Sequence, residues 1–181
     1  IAGVDALQPL GPQPAVFATR VKMVDENLRY IGMGASLAGW HSFGHALAQT
    51  GLGGATCVLN RPLFELFRLE RPRMFILHEG WLYMVAAGLG RIVFSEDSWI
   101  LYRQHGGNAY GGTVQFKRRW RQRLASLRSR NDPQKLQARE LERIFGERLA
   151  ADKRAALARF TRHDRSLAAR LDFILRNPLV F

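Results

Sequence analysis

The spacing of apolar residues changes at the glycine pair Gly111-Gly112, and this change most limits the folds that the chain can adopt. Before the pair, short apolar runs typical of strands alternate with stretches of helical period, separated by turns rich in Pro and Gly. After it, apolar residues recur only at helical spacing. With 181 residues, 47% of them apolar, the chain can form a packed core. The sequence therefore predicts an α/β segment, residues 1–112, followed by a helical C-terminal region, residues 113–181.

Local signals place the elements within both segments. A loop is predicted for residues 8–14, which are rich in Pro and Gly. Asn60 and Asp132 are each followed by a proline in a first helical turn and are predicted N-caps, and Asp152 is a third predicted cap. The predicted strands are residues 15–21, 55–59, 91–94 and 99–102, of which 55–59 is predicted to be buried. The predicted helices are residues 41–49 and 78–89, the helix after Asn60, and four helices within 113–181.

Positive charge is concentrated in the C-terminal region. The net charge is +12, yet residues 1–112 hold nine Lys or Arg against eight Asp or Glu, whereas residues 113–181 hold 18 against seven. Such a block predicts an anionic partner for that region: lipid head groups, nucleic acid or an acidic polymer. An Arg-rich solvated helical face explains the same charge. Nucleic acid is the least favoured partner, because the aromatic residues of the region are few and mostly occupy apolar stripes.

Features that the sequence lacks indicate the compartment in which the protein is expected. Cys57 is the single cysteine, so an internal disulfide framework is excluded and a reducing compartment is favoured. The sequence contains no run of about 18 uncharged apolar residues, so no membrane span is predicted. The first residues lack the basic and then apolar pattern of a signal peptide. We therefore expect a cytoplasmic protein, which the basic region 113–181 would bring to the inner face of the cytoplasmic membrane.

Three motifs between residues 54 and 108 carry the main functional signal. In order they read GATCVLNRPLFELF, HEGWLYMVAAGLGRIVF and WILYRQHGGN. This succession resembles the second half of bacterial family 2 (GT-A type) glycosyltransferases, particularly rhamnosyltransferase-like enzymes of surface polysaccharide assembly. The earlier RVKMVDENL is similar to the family strand that leads into V-D-E-N. The resemblance covers roughly residues 15–112 and implies the C-terminal part of a GT-A-like mixed sheet with packed helices.

The resemblance implies inverting transfer of a hexose or deoxyhexose, such as rhamnose, from a nucleotide sugar to a glycan or lipid-linked acceptor. Such transfer requires a base that removes the proton of the acceptor hydroxyl. The family base lies in an H-D or E-D pair, which matches His78-Glu79 here, so Glu79 is the predicted catalytic base. Glu79 carries one methylene more than the family Asp, and the second family aromatic is replaced by Gly80. Stabilisation of a helix N-terminus is the alternative role for Glu79.

The same resemblance assigns the remaining site residues. Gly54, Thr56, His78 and Trp81 are the expected acceptor-binding residues, although a packed strand explains Gly54 and Thr56, and a core position explains Trp81. His105 is the expected ligand of a divalent cation, Mg²⁺ or Mn²⁺, or a loop histidine bonded to backbone. The expected diphosphate-binding residues are Arg103, Gln104 and Asn108.

The sequence contains neither a D-x-D motif nor a glycine-rich phosphate loop after a strand. In the resembled family, the nucleotide-binding half and its metal-binding aspartates precede the region that matches here. We therefore expect this chain alone to be inactive, with the donor pocket and the aspartate ligands of the cation elsewhere. The alternative from another class is a non-catalytic module whose basic helices bind anionic lipid or nucleic acid.

Overall fold

A computed structural model describes residues 2–39, 41–104 and 132–162, and it confirms the α/β class. The helices of this described part are α1 (Ala2–Leu7), α2 (Phe43–Ala48), α3 (Arg61–Leu69), α4 (His78–Leu89), α5 (Pro133–Phe145) and α6 (Ala151–Arg162). Its strands are β1 (Ala15–Thr19), β2 (Lys22–Val24), β3 (Tyr30–Met33), β4 (Val58–Leu59), β5 (Arg91–Ser95) and β6 (Leu101–Arg103). Short 3₁₀ helices lie at Gln8–Leu10, Gly54–Thr56 and Gly146–Arg148.

The six strands form two small mixed sheets. The first has the order β4-β1-β5, and the second has the order β3-β2-β6. In each sheet the central strand is antiparallel to one neighbour and parallel to the other. The backbone N–H of Arg20 donates to the Ser95 carbonyl at 3.3 Å, and that of Lys22 donates to the Ile100 carbonyl at 2.9 Å. The parallel pairing of β1 with β5 therefore continues into the pairing of β2 with β6.

An arginine joins the two sheets to the loop that follows β3. The Arg20 guanidinium donates to the Gly34 carbonyl at 3.0 and 2.7 Å and to the Glu96 carboxylate at 2.9 Å. The Ser36 hydroxyl also bonds to Glu96. Hydrogen bonding from Ser36, with the nearby Arg20 as a further cause, holds the pKa of Glu96 below its ordinary value. This network keeps the loop against the end of β5.

The predicted buried strand over residues 55–59 is wrong for most of its length. Only Val58–Leu59 pairs with β1, and Val58 is 37% exposed. The preceding Gly54–Thr56 is a 3₁₀ turn in which the Thr56 hydroxyl donates to the Gly53 carbonyl at 2.8 Å. A side chain that bonds to nearby backbone competes with sheet pairing, and the adjacent glycines favour a turn. The strand therefore starts later than its apolar residues indicate.

The predicted cap at Asn60 is confirmed, and this side chain also fixes the start of β1. Its Oδ1 accepts hydrogen bonds from the N–H of Leu63 at 3.2 Å and of Ala15 at 2.9 Å. Its Nδ2 donates to the Gln13 carbonyl at 2.7 Å. The Asn60 side chain thus accepts a hydrogen bond from an N–H group in the first turn of α3 and also holds α3 to the sheet.

The predicted helix at His78–Leu89 is confirmed as α4, the centre of the core. Every residue of α4 from Gly80 to Gly88 is buried, rather than one apolar face alone. The helix packs against α2, α3, α5 and the strands β1 and β5. A helix that is surrounded in this way has no polar face, and its apolar residues run all round it.

The helices α5 and α6 pack into the same core as the sheet and α4. Leu141, Phe145, Leu157 and Phe160 are all buried in the cluster that contains Trp81. The boundary predicted between residues 112 and 113 lies outside the described residues, as do the helices predicted within 113–131 and 163–181. What the structure shows is that residues 132–162 bury apolar surface together with the α/β part.

Of the two caps predicted in the C-terminal region, Asp132 is confirmed and Asp152 is wrong. Asp132 accepts a hydrogen bond from the Gln134 N–H at 2.9 Å and begins α5. The helix α6 begins at Ala151, so Asp152 lies within its first turn. There its carboxylate stabilises the positive end of the helix dipole.

Much of the charge in the described part of the basic region is used within the molecule. Lys153 Nζ donates to the carbonyls of Ala87 and Gly88, at 2.9 Å each, at the end of α4. Lys135 is completely buried, whereas Arg143 pairs with Glu140 and Arg148 with Glu70. No helix in the described ranges has the length and apolar character needed to cross a membrane.

Candidate functional site

Glu79 lies in the first turn of α4, where a carboxylate faces the positive end of the helix dipole. Its side chain is 16% exposed, and the neighbouring His78 is 69% exposed. His78 Nδ1 lies 3.2 Å from Glu79 Oε2, which is ion-pair distance when the imidazole is protonated. The predicted base Glu79 is therefore partly shielded from water, whereas the predicted acceptor-binding residue His78 is open to it.

The Glu79 carboxylate keeps an unused acceptor. Oε2 is buried, and no donor in the described part of the chain meets hydrogen-bond geometry with it, since the contact with His78 satisfies distance alone. A buried carboxylate oxygen without a donor is costly, and a hydroxyl that approaches it supplies the missing hydrogen bond. Oε2 is therefore an atom of Glu79 whose hydrogen-bonding capacity is unused within the described residues.

The 3₁₀ turn at Gly54–Thr56 lies directly against this pair. A Cβ atom at Gly54 would stand 2.8 Å from His78 Nε2 and 3.7 Å from Glu79 Cβ. A side chain at Gly54 would therefore require the exposed His78 imidazole to move away from the turn. The structure brings together three of the residues predicted from the sequence, Gly54, His78 and Glu79. Thr56 is buried, and its hydroxyl donates within its own turn.

The Glu79 carboxylate affects the pKa of the Cys57 thiol. Burial chiefly raises the pKa of the Cys57 thiol to about 11, a hydrogen bond with Thr56 lowers it, and the nearby Glu79 carboxylate raises it further. The thiol donates to the Gly53 carbonyl at 3.4 Å. A thiol with a pKa this high is weakly reactive near neutral pH.

We expect the alkylation rate of Cys57 by iodoacetamide to rise with pH around a midpoint near 11 in the folded chain. A thiol with the ordinary pKa of 9.0 holds about 100-fold more thiolate at pH 8. In Glu79→Gln the midpoint should move down, because the negative charge that disfavours the thiolate is gone. It should remain above 9.0, since burial is the larger cause. The chain unfolded in denaturant is the control, and a midpoint that Glu79→Gln leaves in place would contradict the predicted proximity.

Trp81 is a core residue that also borders a groove. It is 1% exposed, and its ring stacks on Phe145 with 6.3 Å between centroids. Its indole Nε1 is buried and has no hydrogen-bond acceptor within the described residues. Trp81 therefore packs as a core tryptophan but leaves one donor unused.

The groove beside Trp81 lies between α3, the chain that follows it and the first turn of α4. Its volume is about 390 Å³, within the range of small-molecule sites. We call it the aromatic groove; its lining residues are Phe64, Phe67, Arg68, Arg71, Pro72, Phe75, His78 and Trp81. Because His78 belongs to this lining and also contacts Glu79, the groove leads to the candidate base.

The position of Gly80, where the resembled family has an aromatic residue, has a packing explanation. A Cβ at Gly80 would lie 2.8 Å from Thr50 Oγ1, and the residue is buried. A larger side chain there requires a different position of Thr50 and its neighbours. The aromatic surface of this site is supplied instead by α3 and by Phe75.

The residues predicted to bind diphosphate and metal lie elsewhere or outside the described ranges. Arg103 ends β6 in the second sheet, and the N–H of the next residue, Gln104, donates to the Val24 carbonyl at 2.7 Å. His105 and Asn108 lie outside the described residues. No group of three or more His, Cys, Asp or Glu able to hold a metal ion occurs in residues 2–39, 41–104 and 132–162. The expected Mg²⁺ or Mn²⁺ site, whose predicted ligand His105 lies outside the described residues, therefore stays a prediction.

His41 and His45, four residues apart, belong to no metal-binding group among the described residues, and His41 lies before α2 begins. His45 Nδ1 lies 2.8 Å from the Tyr83 hydroxyl, and both side chains are buried. His41 Nδ1 lies 3.1 Å from the Leu37 carbonyl. The two imidazoles are thus engaged with separate partners.

The aromatic groove was not predicted from the sequence, although a signal for it exists. Phe64 and Phe67 are three residues apart on α3, and Phe75 follows shortly after the helix. Phe64 and Phe75 remain 44% and 48% exposed. Large aromatic residues at such spacing indicate an apolar face, but which other element meets that face depends on the tertiary structure.

No protein-family model, curated protein or solved structure matches this chain. The functional interpretation therefore depends on the geometry of the site and on the three motifs between residues 54 and 108.

Proposed function

We propose that this chain is the acceptor-side part of an inverting glycosyltransferase of the family 2 type. The reaction moves a hexose or deoxyhexose, such as rhamnose, from a nucleotide sugar to a hydroxyl of a glycan or lipid-linked acceptor. The observation that carries the proposal is the Glu79 carboxylate, whose buried Oε2 has no hydrogen-bond donor among the described residues and whose neighbour His78 lines a groove of ligand size. Its place in the first turn of α4 agrees with the motif that begins at His78.

Glu79 acts as the base in this reaction. The acceptor hydroxyl donates its hydrogen bond to Glu79, and the proton passes to the carboxylate as the hydroxyl oxygen attacks the anomeric carbon. The new bond joins that oxygen to the anomeric carbon, while the bond from this carbon to the diphosphate oxygen breaks. The nucleoside diphosphate leaves with the electron pair from the opposite face, so the configuration is inverted.

The neighbouring residues position the base and the acceptor. His78, at 3.2 Å from Glu79, restricts the carboxylate, and Gly54 leaves space for the imidazole. The aromatic rings of the groove offer flat apolar surface against which a sugar or its aglycone packs. Because water is partly excluded from the carboxylate, its interaction with a bound hydroxyl is stronger than at an open surface.

Calorimetric titration of residues 1–181 with uridine-, thymidine- and guanosine-diphosphate sugars tests the assignment to the acceptor side. We expect neither binding nor transfer, because the described residues contain no metal cluster and the sequence has no phosphate loop. The control is the same chain joined to a donor-binding half of the family type, which should bind a donor. Binding of any of these donors by residues 1–181 alone at about micromolar affinity would overturn the proposal that this chain lacks the donor half.

A further inference from the structure

We infer that the aromatic groove is a binding site for an amphiphilic anion, a single hydrocarbon chain that ends in a phosphate group. The inference goes beyond the proposed transfer, because it concerns binding by this chain without a donor and without Glu79. Two features of the groove support it: exposed aromatic walls, and an arginine that has no ionic partner among the described residues.

The walls of the groove favour an apolar ligand. Phe64 and Phe75 are 44% and 48% exposed, and Pro72 lies in the same lining. Burial of the exposed part of such rings by hydrocarbon is favourable in proportion to the area removed from water. A sugar alone offers more hydroxyl groups than these walls have polar partners for. A hydrocarbon chain matches them better.

The two arginines of the groove differ in their ionic contacts. Arg68 is held by Glu65, with 2.8 Å between Nη2 and Oε2. Arg71 is exposed, and its guanidinium forms no ion pair with any residue in the described ranges. A guanidinium that has no ionic partner among the described residues and lies beside an apolar groove matches a phosphate headgroup, with which it forms paired hydrogen bonds.

Calorimetry with decyl phosphate, decanol and inorganic phosphate, on the full 181-residue chain and below the micellar concentration of the alkyl phosphate, separates these contributions. We expect decyl phosphate to bind with a dissociation constant of about 10 to 100 µM. Decanol should bind about tenfold or more weakly, and inorganic phosphate should show no binding at the same concentrations. Equal affinity for decanol and decyl phosphate would overturn the anionic part of the inference, and binding of inorganic phosphate as tight as that of decyl phosphate would overturn the apolar part.

Matched variants test whether the ligand binds in the groove. Arg71→Ala should weaken decyl phosphate binding about tenfold, whereas Arg154→Ala, which removes an exposed charge on α6, should leave it unchanged. This control matters because the net charge of +12 attracts anions in general. Equal losses in the two variants would reject the groove as the site.

The apolar contacts are tested in the same way. Phe75→Ala should weaken binding, and Tyr30→Ala, at an exposed aromatic of the second sheet, should not. Phe75→Ala decides the outcome, because its side chain is half exposed. Unchanged affinity in Phe75→Ala would overturn the inference.

Discussion

Glu79→Gln is expected to lower kcat by about 10²- to 10⁴-fold in the enzyme that joins this chain to a donor-binding half. The amide keeps the size and hydrogen-bonding shape of the side chain but cannot take up the acceptor proton. The KM for the donor should change little, because the lost interaction forms only as the proton moves. Steady-state kinetics over a range of donor and acceptor concentrations measures both quantities.

Two further variants and a stability measurement separate this role from simple helix stabilisation. Glu79→Asp should retain part of the activity, since it keeps the charge but withdraws it by about 1 Å. Glu142→Gln, at an exposed position of α5, should retain all of it. If Glu79 only stabilises the N-terminus of α4, Glu79→Gln lowers the free energy of unfolding by about 0.3 to 1 kcal/mol and leaves kcat intact. That result would remove Glu79 from the proposed mechanism.

Gly90→Ala is expected to prevent the chain from reaching this fold. Gly90 ends α4, and a Cβ atom there would stand 1.9 Å from the Pro14 carbonyl oxygen, which is backbone. The same carbonyl accepts the Arg91 N–H at 2.9 Å, where β1 begins to pair with β5. The overlap therefore cannot be relieved by a side-chain rotation. Relief requires separation of β1 from β5 in the first sheet.

Circular dichroism, thermal unfolding and the yield of soluble protein measure this effect. We expect loss of a cooperative transition in Gly90→Ala. The matched control is Gly146→Ala, where the added methyl group meets only the Glu142 side chain at 3.8 Å and the backbone is helical. That variant should be as stable as the parent or more stable by up to about 1 kcal/mol. A cooperative Gly90→Ala transition at the temperature of the parent would show that Pro14 and Gly90 are not packed as described.

The candidate base is predicted from the sequence, whereas the aromatic groove is not. Glu79 and His78 were identified because they are adjacent in a motif, and the structure adds the 3.2 Å contact between them. Gly54 was assigned to the same site from the resemblance, and its contact with His78 agrees with that assignment. The groove was not predicted, because Phe75 and Trp81 come together only through the path of the chain between α3 and α4.

What the sequence by itself determined is the set of local features. The α/β class, the caps at Asn60 and Asp132, and the helix from His78 to its end at Gly90 follow from side chains that act on their own backbone within a few residues. Only the tertiary structure decided the short β4, the burial of α4 on all sides and the role of Lys153 at its C-terminus. These depend on contacts between residues far apart in the chain, which local patterns do not encode. Apolar residues show that a surface is buried, but the packing partner is selected by the whole fold.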